Sequence, residues 1–308
     1  DFGRRLKISV PEQIEKVVNM KLQYTIKQDD NYFNVKEVIK VYFKISDRLL
    51  LRLKNSKNIL LNNTPTYISK EVSPGDEITV IIDFVEDNSN IVPTKIDLTI
   101  IYEDDYYLII NKPAHLPVHP SMLHYANSLS NGVKFYFDSI GLKKKIRPVN
   151  RLDKDTSGIV IFAKNEYIQE CLVSQMKTKD FQKEYIAVCD GIFKEKSGTI
   201  NLPIARKPGS IIERCVSTDG DSSITHYEVI QQLDNYAIVK CMLETGRTHQ
   251  IRVHMSAINH PILGDTLYGK PNSNIDRQLL HAYKVSFIHP ILHKKVKYTA
   301  EIPFNFWT

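Results

Sequence analysis

The stretch that most constrains this 308-residue chain is residues 147–164, which read RPVNRLDKDTSGIVIFAK. Residues 159–163 are an unbroken apolar run bounded by Gly158, and read as a short central strand. Just ahead of it one acidic residue, Asp153, lies behind a cationic approach of Arg147 and Arg151. A polar turn of Lys154, Asp155, Thr156, Ser157 and Gly158 separates the aspartate from the strand. A carboxylate at such a spot can do chemistry, yet Asp-Thr-Ser-Gly is also how an ordinary loop caps its own backbone before a strand. From the residues alone both readings stand.

Composition narrows the classes of function. With 42% hydrophobic and 25% charged residues the chain is expected to be soluble and globular, with more than one domain. No apolar stretch reaches membrane-spanning length, and residues 1–10 are charged rather than a signal peptide, so the expected location is cytoplasmic. Four cysteines without a short pair spacing argue against a zinc knuckle or a disulfide framework. No histidine pair is joined by a cysteine or carboxylate at metal spacing, and no Gly-rich nucleotide motif is present; neither metal nor cofactor is expected. The net charge of +6 is mildly basic, and its placement says more than its total.

Near the N-terminus, Lys36, Lys40, Lys44, Arg48 and Arg52 recur every four residues among apolar positions at helical spacing. Two short helices are predicted, the second capped by Ser46 and running to about Lys54, with the basic side chains outward. A strand over 59–62, a turn at Asn62 and Asn63, and a Gly75-Asp76 corner leading into a strand over 77–84 complete the unit. Residues 86–93 read as a flexible linker. Beyond it the pattern predicts strands at 98–102 and 107–111, a helix over 128–139 interrupted by Gly132, the central strand, and a helix over 166–177. Further strands follow at 183–188, 227–232 and 237–244, a helix runs from about Gly246 to Ala257, and closing strands lie at 285–288 and 296–302. Residues 210–222 resist assignment. Lys143, Lys144, Lys145 and Arg147 lead into the aspartate loop, where cations favour phosphate contacts.

Three phrases carry a resemblance. Residues 151–158 (RLDKDTSG) resemble the signature around the catalytic aspartate of the RluA-type RNA pseudouridine synthases. Residues 105–119, with Asn111, Lys112, Pro113, Val118 and His119, resemble that family's opening signature. Residues 245–254 (TGRTHQIRVH), with Gly264, Asp265, Tyr268, Gly269 and then Leu280, His281, Ala282, resemble its third. The unit over 12–85 resembles the RNA-binding module named after ribosomal protein S-four.

The resemblance implies an α+β chain: a mixed, mostly antiparallel β-sheet catalytic domain at 94–308 with flanking helices, joined by the linker 86–93 to a small α/β RNA-binding domain at 1–85. It implies isomerisation of uridine to pseudouridine in RNA, without cofactor or metal, by a monomer. Asp153 is the implied catalytic residue, Arg247 its paired cation, and Tyr185 the ring against the uracil. Arg151 is implied to fill the gap left when the uridine leaves the stack. Lys40, Lys44, Arg48 and Arg52 are the expected RNA contacts of the first domain. Most members of the family carry histidine where this chain has Asn150, which puts in doubt any proton shuttle there. Large-subunit ribosomal RNA is the expected substrate. Transfer RNA and a non-catalytic role in ribosome assembly are the alternatives, and a hydrolase would need a second carboxylate better placed than Asp155.

Overall fold

Alternation of apolar and polar residues at Met20, Leu22 and Tyr24 against Lys21, Gln23 and Thr25 gives the first strand, β1 (Met20–Thr25), with one face buried and one wet. The computed structural model describes residues 20–84, 86, 88–271 and 274–303. The expectations for residues 1–19, including the start of the S-four-like unit, lie outside the described residues. After β1 a single helical turn, α1 (Val35–Glu37), runs into a π-helical turn, Val38–Tyr42. The second predicted helix is α2 (Asp47–Asn55), with the Ser46 hydroxyl accepting from the Leu49 amide as its N-cap.

Strands β2 (Ile59–Leu61), β3 (Thr64–Pro65) and β4 (Glu77–Ile82) complete an antiparallel sheet in the order β1-β4-β2-β3. The Asn62 carboxamide links the turn to the Gly75-Asp76 corner. It donates to Asp76 at 2.8 Å and accepts from the Glu77 amide at 2.9 Å.

The rest of the chain builds a ten-stranded sheet with helices beside it. In chain order it contains β5 (Thr99–Glu103), β6 (Tyr107–Lys112), α3 (Leu129–Ser139), β7 (Arg147–Pro148), β8 (Ser157–Ala163), α4 (Glu166–Gln175), β9 (Gln182–Asp190) and β10 (Ser197–Asn201). A small separate hairpin pairs β11 (Ile204–Arg206) with β12 (Arg214–Val216), and its second strand lies in the stretch 210–222 that resists assignment from sequence. Strands β13 (Ile224–Gln232) and β14 (Tyr236–Leu243), helix α5 (Gln250–Ala257) and strands β15 (Leu280–Ile288) and β16 (Lys295–Thr299) follow. The sheet runs β10-β13-β14-β9-β15-β8-β6-β5, with β16 on β15 and β7 on β8. The fold is therefore the expected mixed, mostly antiparallel α+β arrangement.

Among the described residues the sheet has one parallel pairing, β8 with β15, next to the turn that carries Asp153. Every residue of β8 is buried, as a strand covered on both faces requires. Gly158, its second residue, has φ +113°, and a Cβ there would lie 2.3 Å from the Ala282 carbonyl oxygen on β15, so only glycine lets the two strands meet. Gly132, inside α3, has the same kind of cause: a Cβ would press to 3.0 Å on the Ile96 Cβ.

The expected flexible linker is anchored where it begins. Glu86 takes two bonds from Arg147, at 2.6 and 2.5 Å, and lies 3.5 Å from Arg52. Burial alone would raise this carboxyl, but the bonds from Arg147 and the Lys145 amide hold it below its ordinary value. Arg147 and Lys144, read as phosphate contacts, are instead buried clamps, Lys144 pairing with Asp83 at 3.0 Å. Arg52 is also corrected. It stacks on Phe84 at 4.1 Å and binds Glu166 of α4 at 2.5 Å. The four-residue period that suggested an outward basic stripe could not show that the last turn of α2 faces another part of the chain. Ser46 to Glu170 and Tyr167 to the Phe43 carbonyl add to this docking, and one apolar core runs through both units. Among the described residues no helix is long and apolar enough to cross a membrane.

Candidate active site

Asp153 stands in the turn that feeds β8, and the turn's own carbonyls are individually held. The Asp153 carbonyl accepts from the Thr156 amide at 3.1 Å, that of Lys154 from the Lys112 ammonium at 3.0 Å, and that of Asp155 from Arg277 at 3.4 Å. Lys112, at the end of β6, has no exposed surface and also donates to the carbonyls of Pro113 and Leu116, both at 2.8 Å. It ties the loop of the first signature to that of the second. Burial pulls its ammonium down to about 7, against the attraction of Asp155 and Asp153.

The folded-state value of Lys112 lies below the unfolded one, near 10.5. Between pH 7 and 10.5 the unfolded chain therefore holds the extra proton, and the stability linked to this group rises with pH. Lys112→Met is expected to remove that rise and to cost about 1–3 kcal/mol by leaving loop carbonyls unpaired. Denaturant unfolding of both proteins from pH 6 to 10 checks this; parallel pH profiles would sink it.

The Asp153 carboxylate faces a pocket lined by Arg151, Leu152, Tyr185, Leu243, Arg247, His249, Ile251, Arg252 and Leu280, among others. Its partner is Arg252, with Nη1 at 3.0 Å from Oδ2. The expected partner, Arg247, is a correction: its guanidinium turns to the Ser222 carbonyl at 3.2 Å and to Asp221 at 3.4 Å. Helix α5 starts only at Gln250, so Arg252 falls in its first turn and Arg247 in the loop before it. Gln250 fixes that start, accepting from Thr245 and the Arg247 amide and donating to the Ile224 carbonyl and Thr225. Arg247 lines both the pocket and a neighbouring groove along the β11–β12 hairpin, with Arg206, Arg214, Asp219 and Asp221.

Arg252 is held from behind. Asp265, fully buried, takes its Nε at 2.7 Å and Nη2 at 2.8 Å, a two-point grip that fixes the plane of the guanidinium. Burial would lower Arg252, but the two aspartates raise it above the ordinary arginine value and keep it charged. Tyr268 lies beneath it at 5.1 Å. Asp265 and Tyr268 belonged to the third phrase, but nothing in their spacing assigned them this work.

Tyr185, on β9, is almost fully buried beside the pocket. Burial, and then the Asp153 charge, push its hydroxyl far up, so it is a neutral phenol at physiological pH. Arg151 is exposed at the pocket rim. Asn150 spends both ends of its carboxamide on β8, donating to the Ile159 carbonyl and accepting from the Ile161 amide, each at 2.9 Å. It acts as a strand clasp, for which titration is not needed. Of the first unit's cations, Lys44 and Arg48 are exposed, while Lys40 pairs with Asp47 at 3.0 Å. Among the described residues no cluster of three or more His, Cys, Asp or Glu is placed to hold a metal ion.

Comparison with known proteins identifies relatives of this chain. The family model described as RNA pseudouridylate synthase matches residues 106–257, from the strand carrying Lys112 to the end of α5. The Bacillus subtilis (strain 168) protein named uncharacterized RNA pseudouridine synthase YjbO is 37% identical over 260 residues, 84% of this chain and 92% of its own. Ribosomal large subunit pseudouridine synthase D of Neisseria meningitidis serogroup A is 35% identical over 269 residues, covering 83% of this chain and 71% of its own. Among solved structures, human RNA pseudouridylate synthase domain containing 1 superposes with a TM-score of 0.56 at 27% identity, over 68% of this chain and 84% of that one. With an aspartate, an arginine and a tyrosine converging on one pocket and relatives of this identity along most of its length, the chain belongs to the family of RNA pseudouridine synthases, isomerases that act on RNA.

Proposed function

We propose that this chain converts specific uridines of large-subunit ribosomal RNA to pseudouridine, as a monomer, with Asp153 as the catalytic carboxylate. The observation that carries the reading is the Arg252-to-Asp153 contact in a pocket that also holds Tyr185 and the apolar side chains of Leu152, Leu243, Ile251 and Leu280. In the reaction the bond from uracil N1 to the ribose anomeric carbon breaks and a bond from C5 to that carbon forms. The C5 hydrogen leaves for solvent, N1 gains one, and nothing is oxidised or lost.

The carboxylate begins the reaction, whether by adding to the anomeric carbon or by taking a proton from the sugar. Arg252 orients it. Tyr185 lies against the detached base, and the apolar walls Leu152, Leu243, Ile251 and Leu280 keep that base from escaping. Arg151, free at the rim, fills the stack vacated by the flipped uridine. The ribosomal choice is favoured by the synthase D relatives, whose name specifies the large ribosomal subunit, at identities near those of the other relatives.

Tritium release from RNA labelled at uracil C5 tests the reading. Release is expected from large-subunit ribosomal RNA in preference to bulk transfer RNA. Preference for transfer RNA would move the substrate, and release from neither would overturn the assignment.

The first unit is proposed to bind RNA through Lys44 and Arg48, with Arg52 excluded by its own partners. Arg48→Ala should flatten the salt dependence of RNA affinity by about one unit of log-log slope, whereas Arg52→Ala should leave that slope alone and lower stability. Equal slopes for wild type and Arg48→Ala would remove Arg48 from the interface.

A further inference from the structure

We propose that His249 is a positioning residue for Asp153, locked by Tyr268 into the tautomer that turns an N–H toward the carboxylate. This rests on the reading of Asp153 as the reacting group and extends it by one residue. His249 precedes α5 with φ +57°, in the left-handed region, and its side chain is 11% exposed at the pocket wall.

The lock follows from counting donors. The Arg214 amide, at the start of β12, lies 2.7 Å from the Tyr268 hydroxyl oxygen, and an amide N–H can only donate. The phenol oxygen accepts there, and because His249 Nδ1, 2.8 Å away, is the hydroxyl's only other partner among the described residues, its own hydrogen is directed to that nitrogen. Burial raises Tyr268, which keeps that hydrogen on it.

With Nδ1 accepting, a neutral imidazole carries its hydrogen on Nε2, which lies 3.7 Å from Asp153 Oδ2. That is beyond hydrogen-bond length, so the N–H acts by its orientation and charge distribution, beside the direct bond from Arg252. The charged or titratable groups facing the ring are Asp153 from the loop before β8, Arg252 from α5, Asp265 and Tyr268 from the loop after α5, and Arg214 from β12. Burial lowers His249, and Arg252 and Arg214 act in the same direction against the two aspartates, favouring the neutral ring. The chain of contacts also joins the β11–β12 hairpin, at Arg214, to the carboxylate.

Two variants separate positioning from packing. Tyr268→Phe keeps the ring beneath Arg252 and removes only the hydroxyl, and His249→Gln keeps a polar side chain of similar reach. Nitrogen-15 NMR of histidine-labelled protein, with the His249 signal assigned by its loss in His249→Gln, is expected to report the Nε2–H tautomer in the wild type. In Tyr268→Phe the signal is expected to be a mixture. Single-turnover tritium release should fall about tenfold in both variants, because Asp153 loses the oriented N–H dipole beside it, with RNA affinity unchanged. A wild-type His249 protonated on Nδ1, or release by His249→Gln at the wild-type rate, overturns the proposal alone. Absence of release from the wild type would overturn the reading of the site and this proposal with it.

Discussion

Asp153→Asn is expected to abolish tritium release, with a loss of at least about 10⁴-fold, while RNA affinity stays near that of the wild type. The substitution is nearly isosteric. The new carboxamide oxygen can still accept from Arg252, and the loop that presents residue 153 is held by its carbonyls, to Lys112, Arg277 and the Thr156 amide, none of which the change touches. What disappears is the negative charge. A neutral carboxamide neither adds to the anomeric carbon nor takes a proton from the sugar, so both routes stop at their first step. The measurement is single-turnover release with enzyme in excess, beside filter binding of the same RNA. Residual release above about a hundredth of wild type would show that a different group begins the reaction, and the assignment of Asp153 would fall.

The family resemblance pointed to Asp153 and Tyr185, and both line one pocket. The aspartate stands between a cationic approach and the fully buried β8, and the tyrosine lies on a strand two places away across the sheet. The same reading chose the wrong arginine. TGRTHQIRVH carries two arginines five residues apart, and only the point at which α5 begins, set by Gln250 gripping the β13 backbone, decides which one reaches the carboxylate. That grip spans 26 residues of sequence and leaves no local signature. The basic residues failed for a related reason. Lys144, Arg147 and Arg52 look like surface cations, and their carboxylate partners, Asp83, Glu86 and Glu166, are separated from them by tens of residues. The helix cap at Ser46 was legible because its hydrogen bond is three residues long.

Arg252 is where stability and catalysis are expected to separate. Arg252→Ala should destabilise the protein by about 3–5 kcal/mol, since it strands the Asp265 carboxylate in a site with no exposed surface. Asp265 would keep only the amides of Leu267 and Tyr268, at 3.0 and 3.1 Å, and two neutral donors do not replace a two-point guanidinium. In the double variant Arg252→Ala/Asp265→Asn the buried charge is gone and the asparagine oxygen can still accept from both amides. Most of the lost stability should return. Activity should not, because Asp153 has still lost the only direct hydrogen bond described for its carboxylate, so both variants should release tritium about a hundredfold more slowly than wild type or worse. Denaturant midpoints and single-turnover rates on the same three proteins provide the comparison. Recovery of stability and activity together would mean that Arg252 serves the fold alone, and recovery of neither would mean that Asp265 is held by more than its arginine. Recovery of stability alone places the cation in the chemistry, and gives the reason for burying an ion pair behind the site: a guanidinium fixed in plane by one aspartate can hold another in the orientation the reaction needs.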